Sequence, residues 1–115
     1  FKVYCLDVGY TGDRDVDEFV SDLPGASILG TPTSLTGMAV LADGVLDAAD
    51  VSYPGVAFGQ TVERIVIAQD TGDDATSLVL IYLDTYDDTT PIYRAGDGSN
   101  IPISWSNDDT RIAKL

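Results

Sequence analysis

Residues 63–85 read ERIVIAQDTGDDATSLVLIYLDT, two β-branched, apolar runs on either side of one short acidic turn. Runs of this length bounded by turn residues are strands, and a Gly-containing loop between them makes a β-hairpin. Val62, Ile65, Val66, Ile67 and Ala68 form the first arm, Leu78 to Leu83 the second, and residues 70–75 the loop. Near-continuous apolar runs are the mark of strands covered on both faces, so this hairpin reads as the buried centre of a small all-β domain. It carries no catalytic group.

The rest of the chain extends the pattern. Residues 1–6 are apolar on both faces and predict another covered strand. Val16, Phe19, Val20 and Leu23 follow at i, i+3, i+4 and i+7, a stripe that predicts one short α-helix, capped by Asp13 or Asp15 and stopped at Pro24-Gly25. Short strands are expected at 26–30, 37–41, 45–47 and 51–53, with Asp43-Gly44 as a tight hairpin turn. Residues 84–98, DTYDDTTPIYRAGDG, predict a long exposed loop. Ile101, Ile103 and Trp105 alternate onto one face of a further strand, and residues 111–115 form a last one. The expectation is a single domain over residues 1–115: a small antiparallel β-sandwich or barrel of about 7–8 strands with one N-terminal helix.

Charge narrows the chemistry. The formal net charge is −13, and 17 of the 19 acidic residues are Asp, a residue of turns and caps. The six basic residues, Lys2, Arg14, Arg64, Arg94, Arg111 and Lys114, are scattered, which argues against nucleic acid and anionic membrane surfaces as partners. No apolar run approaches the ~20 residues of a membrane helix. The chain has no His, so the Ser-His triad, the Cys-His pair and most zinc sites are excluded. Cys5 stands alone within an apolar strand and reads as a buried, inert thiol. An enzyme is not expected: paired carboxylates at 70–74 and 84–88 have little wall for a cleft.

Calcium is a weaker alternative. Asp13, Asp15 and Asp17 match the first ligand spacing of an EF-hand loop, but Glu18 stands where Gly is needed and Pro24 where Glu is needed. The Asp clusters at 70–74 and 84–88 stay open as oxygen donors for a hard cation. In the long loop, Tyr86, Ile92, Tyr93 and Arg94 are the candidate partner contacts, because large apolar groups on an exposed loop mark interaction surfaces. Folding back over the end of the sheet structure is the alternative for them. No cofactor is expected.

With these segments placed, the chain resembles a family of small virion structural proteins of tailed phages: head decoration, minor capsid or minor tail proteins. Four stretches carry the likeness: KVYCLDVGYTGDRDVDEFVSDLPG at 2–25, LTGMAVLADGVLDAADVSY at 35–53, the hairpin at 63–85, and IPISWSNDDTRIAKL at 101–115. Met38 and Gln69 depart from the pattern. The resemblance implies a non-enzymatic virion component. Since −13 is repelled by packaged DNA, it further implies a decoration (cement) protein on the capsid outer surface. Its expected partner is the major capsid protein, and the chain itself is expected as a homo-oligomer, trimers above all. The alternatives are a minor tail or head–tail accessory protein and, from a different class, a carbohydrate- or calcium-binding β-sandwich module that stacks sugars on Trp105, Tyr86 or Tyr93.

Overall fold

The computed structural model describes residues 1–13, 15–41, 44–86, 89–105 and 113–114. Its strands are β1 (Lys2–Leu6), β2 (Ile28–Ser34), β3 (Ala39–Val40), β4 (Val45–Asp47), β5 (Val51–Tyr53), β6 (Thr61–Val62), β7 (Arg64–Gln69), β8 (Leu78–Leu83), β9 (Arg94–Ala95), β10 (Ile101–Ile103) and β11 (Ala113–Lys114). The protein is all-β. Among the described residues every strand pair is antiparallel, and the strands divide among four sheets ordered β2-β1-β7-β8, β10-β5, β11-β4-β3 and β6-β9.

The hairpin read from residues 63–85 supplies β7 and β8, and β1 inserts on the other side of β7 with Val3 opposite Ile67 and Cys5 opposite Ile65. Because side chains alternate across a strand, the apolar runs divide between two faces. Val3, Cys5, Ile65 and Ile67 pack with Tyr53, Ile101, Ile103 and Trp105 in the larger core. Tyr4, Leu6, Val66 and Ala68 pack on the opposite face with Tyr10, Val20 and Leu23. β1 and β7 are therefore covered on both sides, as expected for strands without a polar face, whereas β8, expected to be covered as well, is an outer strand of the sheet and leaves Leu78 and Leu80 exposed. Each fully buried side chain of this kind contributes about 1.5–3 kcal/mol.

The ladder between β1 and β2 is interrupted. Val3 pairs with Thr33, but Cys5 pairs with Leu29, so residues 30–32 of β2 are looped out opposite Tyr4. Gly30 makes this possible: its φ is +63°, and a Cβ there would lie 2.5 Å from the Pro54 carbonyl oxygen. The displaced Thr31 N–H donates to that same Pro54 carbonyl (3.0 Å), which ties β2 to the end of β5.

The expected helix over residues 16–23 does not form. Among the described residues there is no α-helix, and 3-10 turns stand at Val20–Asp22 and Gly25–Ser27. Two competing sets of hydrogen bonds explain this. Phe19 pairs with Leu78, while Val20 N–H donates to the Ser77 carbonyl (2.8 Å) and Val79 N–H to the Glu18 carbonyl (2.9 Å), so this stretch is drawn out along β8. Asp13, Asp17 and Asp22 meanwhile accept nearby backbone N–H groups, which favours turns over helix. Val20 and Leu23 still enter the core as the stripe required, but Val16 is exposed. The strand expected at 111–115 is represented by β11, which pairs with β4; Arg111, Ile112 and Leu115 lie outside the described residues.

Candidate contact surface

Residues 84–86 and 89–98 carry more backbone pairing than an open loop. After β8 the chain turns back on itself: Tyr86 N–H donates to the Thr90 carbonyl (2.8 Å), Ile92 N–H to the Asp84 carbonyl (2.9 Å), and Thr85 pairs with Pro91. β9 then pairs with β6, placing Arg94 opposite Val62.

This arrangement separates the four residues singled out in the loop. Ile92 is only 4% exposed and belongs to the larger core, so it is a packing residue and is not available as a surface contact. Its side chain packs inward with the larger core, in line with the inward folding left open as the alternative for this loop. Tyr86 and Tyr93 are 62% and 68% exposed, and Arg94 is exposed beside Tyr93.

A second loop joins this surface. Gly96 N–H donates to the Gln60 carbonyl (2.8 Å) and Gly98 N–H to the Val56 carbonyl (3.1 Å), and a Cβ at Gly96 would overlap the Ala57 carbonyl oxygen. Residues 56–60 and 96–98 are thus stapled backbone to backbone. Within the stapled turn, Ala57 N–H donates to the Gln60 side-chain carbonyl (2.9 Å) and Gln60 N–H to the Ala57 carbonyl (3.2 Å). The turn presents Phe58 at 81% exposure. Phe58 was absent from the sequence-derived candidates. The available signal was a lone aromatic between Ala57 and Gly59, where the flanking small residues offer it nothing to pack against.

The other candidates have structural roles. Cys5 is fully buried, and burial pushes its thiol up to about 12, so it is not a nucleophile at neutral pH. Trp105 is buried, its indole N–H donating to the Ala49 carbonyl (3.1 Å), and so cannot stack on a sugar. In the turn at 70–77, the Asp70 carboxylate accepts the Gly72 N–H and Asp73 accepts the Ala75 N–H. Ser77, fully buried, donates to the Asp73 carbonyl (2.8 Å) and accepts the Thr71 N–H (3.0 Å). Asp70 also pairs with Lys2 at 3.0 Å, which lowers the Asp70 pKa and raises that of Lys2. These carboxylates turn toward their own backbone, and among the described residues no three acidic or Cys side chains converge as metal ligands. Asp87 and Asp88 of the second acidic cluster lie outside the described residues.

No helix among the described residues is long and apolar enough to cross a membrane. No protein-family model and no curated protein sequence matches the chain.

Proposed function

We propose that this protein is a non-enzymatic structural component of a phage virion, a decoration protein seated on the outer surface of the major capsid protein shell. The observation that carries a binding role is the exposure of Phe58, on the turn stapled to residues 96–98, and of Tyr93 and Arg94, at the strand β9 that pairs with β6. Exposed aromatics with a neighbouring Arg have the composition of interface anchors. Holding them on rigid loops lowers the entropy lost on docking. The family resemblance of the sequence directs that role to a virion, and the net charge of −13 directs it to the side of the shell away from DNA.

In this reading the fold is a distorted β-sandwich, with the four-stranded sheet against the β5–β10 ribbon, and the chain works as a symmetric oligomer, a trimer. Many identical weak contacts then hold each copy by avidity.

The test is a reconstruction of virions with and without the protein, followed by re-addition of purified variants. Density on the capsid exterior is expected, with Phe58→Ala and Tyr93→Ala lowering occupancy about tenfold or more. Density confined to the tail, or no virion density, would overturn the assignment. Sedimentation of the free protein as a monomer at all concentrations would remove the trimer.

A further inference from the structure

A separate surface lies along β8, the outer strand of the four-stranded sheet. Its first residues are covered: Glu18 to Val20 pair with Ser77 to Val79 and stop there. Beyond Val79, no strand pairs with the outer side of β8 among the described residues. At the point where the pairing ends, an open groove of about 310 Å³ is lined by Val16, Leu78 and Leu80 together with Asp15, Asp17 and Glu18. All three apolar side chains are exposed, Val16 at 66% and Leu80 at 49%.

We infer that this groove receives an extended segment of a different protein, in which apolar residues alternate with Lys or Arg. An unfinished sheet edge accepts an extended chain by adding a strand, and the pairing begun by residues 18–20 gives it a direction and a starting point. The apolar side chains of the segment would cover Val16, Leu78 and Leu80. Its cations would meet Asp15, Asp17 and Glu18, where burial of the apolar floor lowers the local dielectric constant and strengthens attraction. The same three carboxylates disfavour β8 of a second copy at this edge, since that strand, Leu78–Leu83, brings no cation to meet them. This inference does not depend on the virion assignment; it uses a different face and different residues.

The experiment is amide chemical-shift mapping of the full chain with three short synthetic peptides of equal length. One alternates Lys with Val, one alternates Glu with Val, and one is oligolysine. The Lys–Val peptide is expected to perturb residues 15–18 and 78–82. It should bind at least about tenfold tighter than either control, and several-fold more weakly in about 0.5 M salt. N-methylation of its backbone should abolish binding. Leu80→Lys should weaken it about tenfold, and Asp15→Asn combined with Glu18→Gln, both on the surface, should do the same without lowering the melting temperature. Equal binding of the Glu–Val peptide or oligolysine would overturn the proposal. So would shifts centred on Phe58 and Tyr93, unchanged affinity in both variants or on N-methylation, or a concentration-dependent dimer formed through β8.

Discussion

The Tyr53 hydroxyl donates to the Leu29 carbonyl at 2.7 Å, from a side chain with no exposed surface. The same oxygen accepts the Cys5 N–H at 3.2 Å, and Cys5 and Leu29 are partners across β1 and β2 where that ladder slips. One phenol thus serves two backbone groups at the break in the sheet. Its ring also belongs to the larger core, which joins the β5–β10 ribbon to the four-stranded sheet.

Tyr53→Phe keeps the ring and removes both hydrogen bonds. Leaving a buried N–H and C=O without this partner costs about 1–3 kcal/mol. Urea denaturation should show that loss as a lower midpoint with an unchanged slope. A loss below the error of the fit would show that water or backbone rearrangement replaces the hydroxyl.

Gly30→Ala should be more damaging than its size suggests. The added methyl meets the Pro54 carbonyl and Tyr53, and φ at +63° is unfavourable for any residue with a Cβ. The conformational term alone is about 1–2 kcal/mol, before the clash is counted. Gly25→Ala is the control: a Cβ there meets nothing within 4 Å. Thermal melts of the two variants should differ clearly, with Gly25→Ala close to the parent.

Ile92→Ala and Tyr93→Ala test the division found in the 84–98 loop. Truncating a buried Ile costs about 2–5 kcal/mol, whereas truncating an exposed side chain changes stability by about 0.5 kcal/mol or less. Parallel denaturation curves check this directly. Similar losses in both would mean that Tyr93 packs in solution.

Alkaline pH should destabilise the fold. Burial raises the Cys5 thiol from its ordinary 9.0 up to about 12, and burial also raises Tyr53 and Tyr10. Below pH 9 both folded and unfolded thiols are protonated, so Cys5 adds no pH dependence. Between 9.0 and about 12 the unfolded thiol ionises while the folded one holds its proton. Stability falls across that window by roughly 1.4 kcal/mol per pH unit for this group. Unfolding midpoints measured from pH 8 upward should decline, and Cys5→Ala should remove part of the slope. The native thiol should resist a disulfide reagent at pH 8 until denaturant is added.

Raising salt should stabilise the protein, because 19 acidic groups face six basic ones. Going from about 0.01 M to 0.15 M NaCl shortens the screening length from roughly 30 Å to 8 Å and weakens the repulsion among exposed carboxylates. The melting temperature should rise with sodium chloride and by a similar amount with other monovalent salts. A rise with calcium alone, at equal ionic strength, would instead mean a specific site.

The parts of the fold that were legible from sequence are those where one periodicity acts without a competitor. The runs at 64–69 and 78–83 are β-branched and apolar, and the Asp-Thr-Gly turn between them admits a hairpin; both strands formed there. Val16 to Leu23 had an equally regular stripe, but Ser77 and Val79 bind its backbone, and that partner is invisible from local spacing. Ile92 and Tyr93 are neighbours in an irregular loop, where no period tells which one turns inward. Phe58 escaped notice for a related reason: its exposure depends on Gly96 and Gly98, whose N–H groups fasten its loop from far along the chain.

The central position of β1 bears on how the chain is made. β1 comprises residues 2–6, and Lys2 pairs with Ala68, so β1 waits for a strand that emerges much later in synthesis. On the ribosome β1 and β2 can meet early, but their interrupted ladder is held by Tyr53 and completed by β7. Until residues 64–69 emerge, the apolar segments Val3–Leu6 and Ile28–Leu29 have no settled partner. Pairings this distant fold slowly, and the high density of negative charge along the nascent chain keeps such segments from associating with one another while they wait.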